Sequence, residues 1–325
     1  MRGAGALRRL ATATRRRFAR RGVILLYHRV AEPARDPEGL AVRPAHFDAH
    51  LRILGTMCEP LALDEFERRR AAGTLPERAV AVTFDDGYHD NLTEAAPALA
   101  GAHIPATIFV TTGRTGAARG FWWDELAAML LTAVAPTCAL SLVLEDGGPS
   151  TIDITPALAP AVHAMLTARL REASADSRDR AIDTLARQLG HPLPDPSVAR
   201  ACDRDDLRAL AAMPGIRLGG HTVTHSVMSR QSPRELLRET AECRAQLAEV
   251  LGGEAPTAFA YPYGAVRDIS EAAVDAVRAA GYSLACANVP EAAWCDSDPF
   301  RLPRHLVRDW DGATFRSHLE GWFRA

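Results

Sequence analysis

The stretch Thr83-Phe84-Asp85-Asp86-Gly87 sets two adjacent carboxylates at the end of an apolar run and follows them with a glycine. Carboxylates at a strand tip can hold a cation or take a proton. Side chains alternate along a strand, so Asp85 and Asp86 point apart and can serve different tasks. Asp-Asp-Gly is also ordinary turn chemistry. Far along the chain, His221-Thr222-Val223-Thr224-His225 places two imidazoles four residues apart, just after Gly219-Gly220. Wound as a helical turn, they share a face and can reach one divalent ion. A carboxylate from the strand tip would complete the three-ligand, open-position set of hydrolytic zinc sites. Histidines at this spacing also occur on solvated helix faces. A third segment, Phe259-Ala260-Tyr261-Pro262-Tyr263-Gly264, closes a short apolar run in a Pro/Gly loop whose amides can face a reacting carbonyl.

The elements that must position these residues alternate along the chain. Apolar runs predict strands at Val23–Tyr27, Val80–Phe84, Thr107–Val110, Arg217–Gly219, Ala258–Tyr261, Ser283–Cys286 and Leu302–Val307. Helices are expected over Ala45–Thr56, Leu63–Ala72, Leu92–Ala102, Pro233–Leu251 and Ser270–Ala280. Such alternation predicts an α/β fold of parallel strands joined by crossover helices. Residues 115–204 break the pattern with Phe121-Trp122-Trp123-Asp124-Glu125, a hairpin (Leu140–Leu144 and Thr151–Ile154 around Asp146-Gly147-Gly148), and helices at Val162–Glu172 and Arg178–Leu189.

The three segments, in this order, resemble the motif set of the polysaccharide deacetylases, carbohydrate esterase family 4 with its NodB-homology domain; the resemblance covers roughly residues 22–112 and 205–312. It implies an irregular, incomplete (β/α) barrel of about seven strands with its site at their carboxyl ends. On this reading a basic tail, 1–21, precedes a catalytic domain, 22–325, that carries a helical and hairpin insertion at 115–204. The resemblance further implies that Asp86, His221 and His225 bind a divalent metal, usually zinc. Asp85 would be the general base, and the main-chain N–H of Tyr263 would receive the oxyanion. The family's general acid is a histidine in a Leu-x-His motif near the end of the domain, and none follows Gly264 here. Leu26-Tyr27-His28 instead ends the first strand, as in a circularly permuted member, which makes His28 the expected acid and His305 its competitor. Many members of the family orient the base with an arginine before the Pro-containing motif, and Ala255-Pro256-Thr257-Ala258 supplies none, so Arg304 is expected to hold Asp85 by a bidentate contact, the alternative being a surface or structural arginine partnered by Asp296 and Asp298. Tyr261, Pro262, Trp122, Trp123 and His305 are expected along the substrate. The tryptophans can stack on a sugar ring or pack the insertion against the barrel.

The implied activity is a metal-dependent hydrolase of carbon–nitrogen bonds other than peptide bonds, removing N-acetyl groups from an amino-sugar oligo- or polysaccharide. A carbohydrate O-acetyl esterase needs the same constellation, and a non-catalytic carbohydrate-binding protein would keep the cleft. The presence of both acids and both histidines argues against the last.

Composition agrees with a globular enzyme: 325 residues, 47% hydrophobic, can bury a sizeable core, and a net charge of -2 gives no case for nucleic-acid binding. The six cysteines are scattered without Cys-x-x-Cys pairs, which suggests a reducing compartment. Arginine clusters at Arg8-Arg9, Arg15-Arg16-Arg17 and Arg20-Arg21 fill the N-terminal segment. As a helix, Leu7, Leu10, Ala11, Thr14 and Phe18 would share one side, suited to peripheral contact with an anionic membrane; the alternative is a frayed basic tail. No apolar stretch of an export signal precedes the first strand, so the expectation is a cytoplasmic protein, membrane-associated at most peripherally. Oligomeric state is left open.

Overall fold

Ala79–Phe84 is a run of six small, β-branched or aromatic residues buried on both faces, as strands of a covered parallel sheet are. The computed structural model describes residues 20–117, 119–131, 138–142, 150–190 and 199–324. The chain runs β1 (Gly22–Tyr27), β2 (Arg29–Val30), β3 (Ala41–Val42), α1 (Pro44–Met57), β4 (Glu59–Pro60), α2 (Leu63–Ala72), β5 (Ala79–Phe84), α3 (Ala96–Gly101) and β6 (Ala106–Val110). The insertion follows with α4 (Trp122–Leu131), β7 (Cys138–Leu142), β8 (Ser150–Ile154), α5 (Ala159–Glu172) and α6 (Ala175–Leu189). Then come α7 (Arg204–Ala212), β9 (Ile216–Gly220), α8 (Pro233–Leu237), α9 (Cys243–Val250), β10 (Ala258–Ala260), α10 (Glu271–Ala279), β11 (Leu284–Cys286), β12 (His305–Leu306) and α11 (Gly312–Arg324).

The main sheet is parallel and curled, in the order β11-β10-β9-β6-β5-β1-β12, with β4 paired to the start of β5. Its two faces follow the period of two. Val23, Leu25, Tyr27, Val80, Val82 and Phe84 face the helices. Ile24, Ala79, Ala81, Phe109, Ala258 and Ala260 fill the concave side. Small residues there make room for large ones: a Cβ on Gly219 would lie 2.5 Å from the Phe109 ring. The two sheet edges are bridged by one segment, since Leu302 pairs with Cys286 of β11 while His305 and Leu306 pair with Leu25 and Leu26 of β1. The architecture is thus an α/β half-barrel with helices outside.

Differences from the sequence-based expectations have local causes. The strand expected over Leu302–Val307 is laddered only at His305–Leu306, because Leu302 serves the opposite edge and the Arg304 N–H bonds Val289 O (3.0 Å). The helices expected over Leu92–Ala102 and Pro233–Leu251 each contain a π turn, Asn91–Ala95 and Arg238–Glu242. The insertion hairpin pairs Cys138–Leu142 with Ser150–Ile154, and its turn at 146–148 lies outside the described residues. The insertion also has its own apolar core, which includes Phe121, Trp123, Leu126, Leu166 and Ile182. Cys58, Cys202, Cys243, Cys286 and Cys295 are free thiols. Among the described residues no helix is long and apolar enough to cross a membrane.

Candidate active site

Thr83 and Asp85 continue the inward parity of Ala79 and Ala81, so the Asp85 carboxylate enters the concave side of the sheet. There it meets Arg304, whose Nη1 and Nη2 donate to its two oxygens, each at 2.7 Å. The guanidinium is fully buried and also donates to Thr83 Oγ1 (3.2 Å) and Ala287 O (3.1 Å). Arg301, by contrast, takes the Asp298 carboxylate. Burial alone would raise the Asp85 pKa; the adjacent Arg304 outweighs it and draws the group down to about 2.

The backbone then turns sharply. Asp86 and Gly87 adopt φ of 76° and 77°, a left-handed conformation that asparagine and aspartate tolerate better than most residues. The turn sends the second carboxylate away from Arg304 and toward the histidines. Asp86 Oδ1 lies 3.5 Å from His221 Nε2 and 3.3 Å from His225 Nε2, and is buried without a hydrogen-bond partner. Burial, above the influence of the neighbouring charges, raises its pKa. Burial likewise lowers that of His221, and burial followed by the nearby Arg178 charge lowers His225 to about 3, so both imidazoles are held neutral. His221 Nδ1 sits 2.8 Å from Ala260 O, which places the ring hydrogen there and leaves Nε2 as a lone-pair donor.

This trio fits a divalent cation. Two neutral imidazole nitrogens and one unpartnered carboxylate oxygen are the donor set of a catalytic zinc site. Tetrahedral coordination with bonds of about 2.0–2.1 Å puts ligands about 3.3–3.4 Å apart, close to the separations above. Among the described residues no other cluster of this kind occurs.

The two histidines do not meet on a helix, as the spacing suggested. Residues 221–227 form a loop, with Thr222 and His225 in left-handed conformations (φ 66° and 53°). Its start is tied to the end of β6 by Thr112 N to Thr222 O (3.1 Å) and Gly113 N to Val223 O (2.8 Å). Tyr263, at φ 60°, completes the pattern: four of the six non-glycine residues with positive φ among the described residues lie in this site or its loops. Strain concentrated at one face is what a functional site leaves in a backbone.

Around the trio lies a cleft of about 310 Å³ lined by His28, Asp85, Asp86, Trp122, Trp123, His221, His225 and Tyr263, among others. His28, at the carboxyl end of β1, has a buried Nδ1 without a partner; burial, its largest influence, lowers its pKa. The Tyr263 ring packs edge-on to His225 (4.8 Å) beneath the Arg171 guanidinium (4.4 Å). Trp122 and Trp123 are nearly buried, yet both reach the cleft. Trp123 packs against His225 (4.7 Å) and donates to Tyr88 Oη (2.8 Å). Packing and lining are therefore combined in the same pair.

Three expected substrate contacts stand elsewhere. Tyr261 shares the outward parity of Phe259, packs toward α10, and donates its hydroxyl to Phe300 O (3.0 Å). Pro262 does not line the cleft. His305 is buried on the helix side of β12, stacked on Trp322 at 4.5 Å, while its neighbour Leu306 faces the cleft. Alternation along the chain explains Tyr261 and His305. The cleft also includes Glu38, Leu40, Thr167, Arg171, Asn288 and Arg308, which the sequence reading did not single out. Of these, only Asn288 carried a usable signal, its place just past the end of β11.

The polysaccharide deacetylase family model matches residues 72–134 and 177–285, more than half of the chain, leaving out the hairpin and all of α5. No curated protein matches the chain. Among solved structures the chain is similar to the deacetylase PplD of Streptococcus pyogenes in complex with acetate, at 17% identity over 93% of this chain and 99% of that one, with a TM-score of 0.61. It is also similar to IcaB from Ammonifex degensii (20%, 94% and 97%, TM-score 0.58) and to a de-N-acetylase from Aggregatibacter actinomycetemcomitans (14%, 92% and 100%, TM-score 0.56). These likenesses establish the common fold. Together with the family match, they make this chain a member of the polysaccharide deacetylase family, hydrolases that remove acetyl groups from polysaccharide.

Proposed function

We propose that the protein is a divalent-metal-dependent N-deacetylase of amino-sugar glycans, releasing acetate and a free amine. The observation that carries this reading is the division between two adjacent carboxylates, Asp85 clamped by Arg304 and Asp86 left facing two neutral imidazoles. The fold likeness to a de-N-acetylase supports the amide over the ester. Asp86, His221 and His225 would hold the cation, zinc by the donor set, which when bound supplies Lewis acidity toward water and the acetyl oxygen.

The remaining steps belong to the chain's own residues. Arg304 keeps Asp85 ionised and fixes both of its oxygens, at the cost of making it a weak base. A carboxylate fixed beside the trio can take a proton from the attacking water. Asp85 takes that proton as the water oxygen attacks the acetyl carbon. The main-chain N–H of Tyr263 donates to the developing oxyanion. As the carbon–nitrogen bond breaks, His28 in its protonated form delivers a proton to the departing nitrogen, and the proton that Asp85 took from water passes back through solvent to the imidazole, completing acetate and amine and restoring both groups. Trp122 and Trp123 wall the sugar.

Asp85→Asn should retain the cation and lose about 10²–10⁴ of acetate release from N-acetylglucosamine oligomers; full activity would refute the base assignment. Faster release from acetylated xylan than from those oligomers would favour the O-acetyl esterase instead.

We also propose peripheral contact with an anionic bilayer. Arg20, Arg21, Arg78 and Arg324, against only Glu77 and Glu320, line one hollow beside the amino ends of β1 and β5, continuous in sequence with the arginine clusters before it. Docking there would turn the cleft, at the carboxyl ends of the same strands, away from the lipid. Salt-sensitive co-sedimentation with phosphatidylglycerol vesicles is expected, and equal binding to neutral vesicles would count against it.

A further inference from the structure

Arg178 lies in α6 of the insertion and is fully buried. A guanidinium taken out of water is costly unless it is paired, yet its hydrogen bonds reach no carboxylate. Nη1 donates to His225 O (3.0 Å), and Nη2 donates to Thr224 O (2.7 Å) and Ser226 Oγ (3.4 Å). The Nε–H has no partner among the described residues. The cation is therefore spent on main-chain carbonyls of one loop.

The other side of that loop is held by an opposite charge. Glu239, also buried, accepts from Val223 N and Thr224 N, each at 2.8 Å, and from Thr224 Oγ1 at 2.7 Å. The peptide units of residues 223–225 thus lie between a carboxylate on their N–H side and a guanidinium on their carbonyl side. Held this way, the loop keeps Thr222 and His225 in left-handed conformations that persist only when the surroundings over-determine them.

We propose that Arg178 is a positioning residue for the cation site: by gripping the carbonyls of Thr224 and His225 it aims the His225 imidazole at Asp86 and His221. The insertion then completes the cation site as well as walling the cleft, so docking of α6 and cation binding strengthen each other by the same factor. This inference rests on the cation site proposed above.

The test is zinc affinity, measured on the full chain by equilibrium dialysis against a competing chelator and independent of turnover. Arg178→Met should weaken binding by about 10- to 100-fold, the range for residues that orient a ligand. Arg178→Lys, which can reach one carbonyl but not two, should fall between. Arg119→Met breaks the Arg119–Glu125 and Arg119–Asp183 pairs, which join parts of the insertion to one another and not to the loop; with Arg178 still gripping the loop, affinity should be unchanged. In a His225→Ala background, Arg178→Met should weaken binding no further. Affinity within twofold of the native protein in Arg178→Met would overturn the proposal, as would an equal loss in Arg119→Met. If Arg178→Met fails to fold, Arg178→Gln is read against the same limits. A native protein that binds no zinc, or binds it equally well after Asp86→Asn, would instead overturn the cation site itself.

Discussion

Two halves of the candidate site, one residue apart in sequence, are built on opposite principles. Around Asp85 every charge is answered: both carboxylate oxygens receive Arg304, and the pair is buried at the wall of the cleft. Around Asp86 one carboxylate oxygen faces two imidazole nitrogens at 3.5 and 3.3 Å and has no hydrogen-bond partner among the described residues. The first half is assembled by folding alone. The second, in the function proposed above, would be completed by a bound cation, so the halves should respond differently to mutation, to ligand and to pH.

The largest effect should come from breaking the satisfied half. Arg304→Met leaves an ionised carboxylate buried without its partner, a change that typically costs about 3–5 kcal/mol. Denaturant unfolding should show that loss, and acetate release should disappear with it. Adding Asp85→Asn to the same chain should recover part of the stability while activity stays absent. A loss under about 1 kcal/mol would mean that the pair is far better solvated than its burial indicates.

Filling the open half should act in the opposite sense. A ligand that binds only the folded state adds about 4 kcal/mol at a thousand times its dissociation constant. Zinc added to chelator-treated protein should therefore raise Tm by several degrees, and Asp86→Asn should abolish the rise. An equal rise in that variant would place the cation elsewhere.

How much of this contrast could be read from the sequence depends on which interaction fixes each part. The acid pair, the two histidines and the strand that delivers Asp85 were legible because apolar runs and donor spacing are local properties. The meeting of His221 and His225 was anticipated for the wrong geometric reason. A left-handed loop, held by Glu239 and Arg178, brings them together, and such a loop leaves no periodic trace. The Arg304–Asp85 contact was anticipated from the shortage of other arginines near the motif, and its geometry depends on a closing segment that joins both sheet edges. Tyr261 and His305 were misplaced by one step of alternation. The walls from Thr167 and Arg171 come from an insertion whose docking no motif announces.

Adjacent carboxylates with pKa values displaced in opposite directions should also give opposite pH linkage. Asp85, depressed to about 2, contributes stability that is complete above the ordinary carboxylate value and lost as pH falls toward 2. From the displacement this is roughly 2.5 kcal/mol. Asp86, raised by burial when no cation is present, contributes stability below the ordinary value that is lost as pH rises through its folded pKa. In chelator at neutral pH, Asp85→Asn should therefore destabilise the protein and Asp86→Asn should stabilise it. Shifts of the same sign in both variants would erase the distinction between the halves.

The smallest effect should come from a histidine that belongs to neither half. His305 stacks on Trp322 at 4.5 Å with planes 20° apart, on the helix side of its strand. His305→Phe keeps an aromatic ring in that stack, so the change in stability should stay below about 1.5 kcal/mol. Acetate release should remain within about twofold, because no reacting atom in the cleft lies within reach of the ring. His28→Gln keeps polarity in the cleft but removes the one imidazole that lines it outside the cation trio among the described residues, and should reduce release by about 10² or more. Equal turnover losses in the two variants would show that aromatic packing beneath the sheet, and not a proton donor at its carboxyl end, limits the reaction. A loss confined to His305→Phe would transfer the acid role across the strand and require β12 to turn over in the working enzyme.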